Sequence, residues 1–159
     1  MALTVTNTFL ATAVGTGEAA NVHPTRMQEV GHRLALASFG ITGPTYKSMT
    51  IEGDKIRLQF DSAKGLHAAG EPPVGFSIAG ADRAFYFAKA KIADQTVVVW
   101  SEKVPQPVAV RYAWAENPVC NLANGDNLPM FQFHTDNWDQ SQLVRTDDAI
   151  TIPAGWMPK

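Results

Sequence analysis

Met49-Thr50-Ile51-Glu52-Gly53-Asp54-Lys55-Ile56-Arg57-Leu58-Gln59-Phe60 is the stretch that decides the fold. Met49 and Ile51 alternate with polar neighbours, Gly53-Asp54 offers a two-residue turn, and Ile56, Leu58 and Phe60 then alternate with Lys55, Arg57 and Gln59. A side-chain period of 2 on both arms of a Gly-Asp turn predicts a β-hairpin with one buried face. The pattern repeats downstream. Val74, Phe76 and Ile78 alternate up to Gly80, Phe85 and Phe87 share a side of the next strand, and Ile92 extends it. Asp94-Gln95 turns the chain into Thr96–Trp100, a continuous apolar run of the kind found in strands covered on both faces. After Pro105 and Pro107, Val108, Val110, Tyr112 and Trp114 alternate strictly. Short strands at this spacing argue a mainly β protein with an antiparallel β-sandwich-like domain.

Upstream the period differs. Residues from Phe9 to about Gly40 read as strand, loop and helix. Met27, Val30, Leu34 and Ala37 recur at spacings of three and four, giving one apolar stripe on a helix over 25–39. Pro24 suits its first turn, and Gly40 with Gly43-Pro44 ends it. One strand and one helix cannot bury such a stripe by themselves. It is expected either to pack on the sandwich or to face a partner, as a homo-oligomer or with a complementing N-terminal chain. Residues from Glu116 onward are rich in Asn, Asp and Pro and read as loop, with one closing strand near Gln132. The expected divisions are 1–41 for the strand-loop-helix, 42–136 for the β-rich domain and 137–159 as an unassigned tail.

Composition narrows the function. The chain has 159 residues, 45% of them hydrophobic, and a formal net charge of −2 from 13 basic and 15 acidic residues. That is globular composition, and no long basic run argues for a nucleic acid partner. Met1–Val14 is interrupted by Thr4, Thr6, Asn7, Thr8 and Thr12 and has no basic start, which suits neither a signal peptide nor a membrane span. The compartment is left open. Cys120 is the one cysteine, so no intramolecular disulfide or thiolate cluster forms.

Among groups able to carry chemistry, His23 has the best context. It lies in Gly17-Glu18-Ala19-Ala20-Asn21-Val22-His23-Pro24, a loop between a predicted strand and the helix, where enzymes place reacting groups. An imidazole there can act as general base and then acid, or it can be a simple turn residue. His32, His67 and His134 are scattered without metal-ligand spacing, so neither a metal nor another cofactor is expected. Gly15-Thr16-Gly17 lacks the rest of a phosphate-binding loop. Ser38, Ser48, Ser62, Ser77, Ser101 and Ser141 lie in no nucleophile-elbow pattern. Trp138 and Trp156, in polar surroundings, are the candidates for stacking on a sugar, whereas Trp100 and Trp114 fall in strand patterns and are expected in the core.

Several strings, in order, resemble sialate O-acetylesterases of the SGNH superfamily of serine esterases. They are His23-Pro24-Thr25, Gln28-Glu29-Val30-Gly31, Arg33-Leu34-Ala35-Leu36, Gly43-Pro44-Thr45-Tyr46-Lys47-Ser48-Met49 and Phe76-Ser77-Ile78-Ala79-Gly80-Ala81-Asp82. Ala88–Ile92, Val97–Ser101, Val108–Trp114 and Asn121-Leu122 continue the series to about Asp136. The resemblance implies that 1–41 is the last strand, histidine loop and helix of an α/β esterase domain, followed by the family's β-rich domain. It further implies His23 as catalytic base and acid, and hydrolysis of O-acetyl esters on sialic acid or another acetylated glycan through an acyl-serine. Members of that family are often exported or periplasmic. Ala20 stands where an aspartate commonly precedes the histidine by three, Gly15 where an acidic residue is frequent, and His134 where arginine is common. The serine and oxyanion segments have no counterpart, so the resemblance implies a partial esterase, inactive by itself. A non-catalytic carbohydrate-binding or scaffold module is the alternative.

Overall fold

In the computed structural model, which describes residues 5–18, 21, 23, 25–115, 117–139 and 143, the hairpin at 49–60 forms in the expected register. Strand β1 (Thr45–Glu52) pairs antiparallel with β2 (Lys55–Asp61), setting Met49 opposite Leu58 and Ile51 opposite Ile56. Beyond it follow β3 (His67–Ala68), β4 (Phe76–Ala79), β5 (Phe85–Phe87), β6 (Lys89–Ala93), β7 (Thr96–Trp100), β8 (Ala109–Tyr112), β9 (Leu122–Ala123) and β10 (Phe133–His134). They assemble into two four-stranded antiparallel sheets, β1-β2-β7-β6 and β10-β8-β4-β5, with β3-β9 as a small third ladder. The protein is therefore mainly β, with one helix, α1 (Met27–Ser38).

Period 2 explains the core. Ile56, Leu58, Phe60, Val97 and Val99 from one sheet meet Phe76, Ile78, Val110, Tyr112 and Phe133 from the other in a single buried cluster. Phe133 bridges the two sheets, its ring stacked 4.9 Å from Tyr46 and 5.9 Å from Tyr112. Tyr112, fully buried, accepts the Leu122 N–H on its hydroxyl at 3.1 Å, so β8 also anchors the loop leading to β9. Two asparagines hold the long connections. Asn121 donates to the carbonyls of Gly70 and Pro72 and accepts the Val74 N–H. Buried Asn124 joins Thr42, Ser62 and Leu128. Gly43 is required where the chain enters β1, since a Cβ there would collide with the Pro129 carbonyl oxygen.

Three expectations are corrected. The strand expected to begin near Phe9 does not form among the described residues, where the chain meets no neighbouring ladder to pair with. In β7 only Val97 and Val99 are buried; Thr96, Val98 and Trp100 are half-exposed on an open outer face, so this strand is covered on one side. Trp114 is not core: it is 44% exposed. Phe85 and Phe87 do share a side, but it is the reverse of the β10-β8-β4-β5 sheet. There Phe85, Ala79 and Ala109 form a second small cluster under Trp138 and Leu143.

Helix α1 covers most of the predicted 25–39 span; Pro24 lies outside the described residues. It ends as its glycine demands: Gly40, at φ +78°, donates to Ala37 O and Ile41 donates to Leu36 O, a Schellman closure. The apolar stripe docks at one end alone. Ala37 is buried, near Leu10, Ile41, Leu128 and Phe131, whereas Met27 is 60% and Leu34 50% exposed.

Candidate functional site

The histidine loop is tied to α1 by charged side chains. Arg33, almost buried at 11% side-chain exposure, donates from Nη1 to the carbonyls of Thr12 (2.9 Å) and Val14 (2.8 Å), while its Nε pairs with Glu29 one turn back. Arg26 donates to the Gly15 carbonyl. Glu18 and Asn21 form an isolated bridge, and Glu18 Oε1 accepts the Thr25 hydroxyl at 2.9 Å across the base of the loop. His23 sits at the open side. Its backbone N–H donates to Asn21 Oδ1 at 3.0 Å, and its side chain is exposed.

Glu18, the acidic residue nearest in sequence, is engaged by Thr25 rather than by His23. Ala20 lies outside the described residues. No described serine hydroxyl bonds the His23 ring: Ser38 caps its own helix at Ala35 O, Ser48 meets Gln59, and Ser62 faces Thr42. Cys120, a free thiol, is half-buried. Burial raises its thiol above the ordinary value, with the Tyr112 hydroxyl only partly opposing, and the thiolate is the reactive form.

The aromatic candidates are placed elsewhere. Trp138 is half-buried against Phe85 (5.8 Å between centroids), with the Arg83 guanidinium 5.6 Å from its ring. It closes the small cluster behind the sheet, apart from the His23 loop. Trp156 lies outside the described residues. The exposed indole that strand periodicity misassigned is Trp114, tilted against His134 at 4.3 Å. His134 in turn donates from Nδ1 to the Asp136 carbonyl. A period of 2 tells which side of a sheet a residue takes but not whether that side is covered, so Trp114 and Trp138 could not be distinguished from pattern.

Beneath His134 lies an ion pair that sequence inspection did not single out. Arg111 holds Asp136 in a two-point grip (Nε–Oδ2 2.9 Å, Nη2–Oδ1 2.8 Å), with side-chain exposures of 10% and 1%. Burial pushes the Asp136 carboxyl up. The Arg111 hydrogen bonds and charge, the Trp138 N–H and nearby His134 outweigh that and hold it below the usual value. This pair fixes the strap after β10 and is structural.

Among the described residues, no three His, Cys, Asp or Glu side chains converge. Among them, too, no helix is long and apolar enough to cross a membrane.

Comparison with known proteins points to carbohydrate esterases. The chain is similar to a crystal structure described as a novel carbohydrate acetylesterase from Xanthomonas citri, with 42% identity and a TM-score of 0.72. The match covers 77% of this chain and 31% of that one, so the chain spans about a third of the relative's length. No family model matches the sequence, and no curated protein does. The relationship is to a carbohydrate esterase.

Proposed function

We propose that this chain contributes the histidine loop and β-sandwich of a carbohydrate O-acetylesterase, with the nucleophilic serine and the oxyanion donors supplied from outside these 159 residues. The observation that carries this reading is the 42% identity to a carbohydrate acetylesterase, together with an exposed His23 on a braced loop. The proposed substrates are O-acetyl esters of sialic acid or another acetylated glycan.

The chemistry assigned to His23 is proton transfer. A serine hydroxyl attacks the acetyl carbonyl carbon and gives its proton to the imidazole. The imidazolium returns that proton to the departing sugar hydroxyl, leaving an acetyl-serine. Water then attacks the acetyl-serine with His23 again as base, releasing acetate and restoring the serine. The Arg33 and Arg26 braces keep the loop fixed during both half-reactions. No carboxylate among the described residues bonds the His23 ring, and in well-studied triads loss of that partner costs on the order of 10⁴ in kcat.

The test is complementation. The isolated chain is expected to release no acetate from an O-acetylated glycan. Mixed with the part of the Xanthomonas citri enzyme outside the matched region, it should restore turnover, and His23→Ala should remove it. Equal turnover by wild type and His23→Ala in the mixture would overturn the assignment.

A second reading is favoured by one observation: the closed core between the sheets draws on no residue of α1. In that reading the sandwich is a carbohydrate-binding or scaffold module that folds for its own surface. Glycan binding by 42–136 alone supports it; absence of binding to any acetylated sugar removes it.

A further inference from the structure

Strand register sets a band of positive charge around one indole on the outer face of the β1-β2-β7-β6 sheet. In one cross-strand row, Lys55 stands opposite Trp100 and Trp100 opposite Lys89. Two residues along, Arg57 stands opposite Val98 and Val98 opposite Lys91. All six point away from the core, because the residues between them, Ile56, Val97, Val99 and Ala90, are buried in it. Lys55, Lys89 and Lys91 are exposed, while Arg57, Val98 and Trp100 are half-exposed. With strands about 4.8 Å apart, Lys55 and Lys89 straddle Trp100 at about 10 Å, and the rows lie about 7 Å apart. Lys55 Nζ already leans over the indole, 5.6 Å from its centroid.

The charge here runs against that of the whole chain, which is −2. Two of the four cations have carboxylate partners at the margin: Arg57 with Glu52, and Lys89 with Glu102, both at 2.6 Å. The exposed Lys89–Glu102 pair contributes little and exchanges readily for another carboxylate. The two-point Arg57–Glu52 pair is firmer, with Glu52 opposite Lys55 at the edge of the first row. Lys55 and Lys91 bond no carboxylate among the described residues.

The geometry points to this face as a binding surface for an acidic polysaccharide, a polymer of pyranoses bearing repeated carboxylates. Trp100 offers an apolar ring to pyranose C–H groups, and the flanking cations meet carboxylates on either side and in the following row. A single strand of sugars lying across the sheet engages both rows. The choice of a glycan over another polyanion rests on the carbohydrate reading proposed above. The face itself is separate from His23, so acetate release in the complementation assay does not depend on it.

Affinity electrophoresis of the full chain in gels containing polygalacturonate tests this, with the same polymer carboxyl-reduced as the neutral arm and single-stranded DNA as the second polyanion. Polygalacturonate should retard the chain and the carboxyl-reduced polymer should not. Trp100→Ala should weaken binding about tenfold, Lys55→Glu with Lys91→Glu at least as much, and Trp114→Ala not at all. Lys55→Gln with Lys91→Gln serves if the charge-reversed form melts early. No retardation, equal retardation by the reduced polymer, or binding unchanged by either set of substitutions overturns the proposal. DNA binding as tight as that of polygalacturonate overturns it as well, leaving a general anion surface.

Discussion

At the residue scale, the clearest lesson is the buried Arg111–Asp136 pair. Arg111 was legible as the outward-facing residue of an alternating strand, a position that normally meets water. Its burial comes from 25 residues further along, where the strap after β10 folds back over the sheet and delivers Asp136. No local pattern announces such a partner. Asp136→Asn leaves the guanidinium buried without its counter-charge and should cost about 3 kcal/mol. Replacing both partners by apolar residues of similar size should cost less than that single change. The pH dependence follows from the depressed carboxyl. A carboxylate held below its unfolded value stabilises the fold at pH above that value, and the contribution drains away as pH falls through the folded one. Urea midpoints should therefore hold down to about pH 4 and drop below it. Asp136→Asn should flatten that part of the profile. A wild-type profile no steeper than the variant's would sink the assignment.

At the element scale, what could be read locally was read well, and what depends on covering was not. The hairpin at 49–60, the helix stop at Gly40 and the closing strand near Gln132 all follow from alternation, turn chemistry or a left-handed glycine. The strand expected from Phe9 is absent among the described residues, since pairing needs a neighbour that periodicity cannot supply. Trp114, expected in the core, is exposed for the same reason: alternation does not say whether its side of the sheet is covered. His23 was legible as a loop residue before a helix, but the side chain that steadies its loop was not. Arg33 lies off the apolar stripe of α1, yet it holds two carbonyls about twenty residues upstream. Arg33→Met should free those carbonyls, at about 1.5 kcal/mol of local stability. Amides of 12–17 should then exchange roughly tenfold faster while those of β2 and β7 keep their protection. Uniform loss of protection across both regions would instead make Arg33 a determinant of the global fold. Arg33→Lys should not restore the loop, because one ammonium cannot reach Glu29 and two carbonyls together.

At the scale of the whole molecule, apolar exposure is uneven. Of ten exposed large hydrophobic residues among those described, seven lie between 5 and 41: Val5, Phe9, Leu10, Met27, Leu34, Phe39 and Ile41. The sandwich, by contrast, buries its apolar faces within its own two sheets. If the esterase reading holds, the rest of the esterase would lie against this N-terminal segment, the side with the uncovered apolar surface. Left uncovered, that side should make the purified chain self-associate and bind a hydrophobic dye such as ANS. Leu34→Glu with Phe39→Glu should reduce both. Because these side chains are already in water, the melting of the sandwich should shift by no more than about 0.5 kcal/mol. The same double variant should fail to restore acetate release in the complementation mixture even though His23 is intact. Sedimentation with ANS fluorescence reads the first effect and acetate release the second. A wild-type chain that stays monomeric and dye-silent at high concentration would mean that 5–41 shields its apolar residues without help. Complementation by the double variant at the wild-type rate would place the esterase partner on another face.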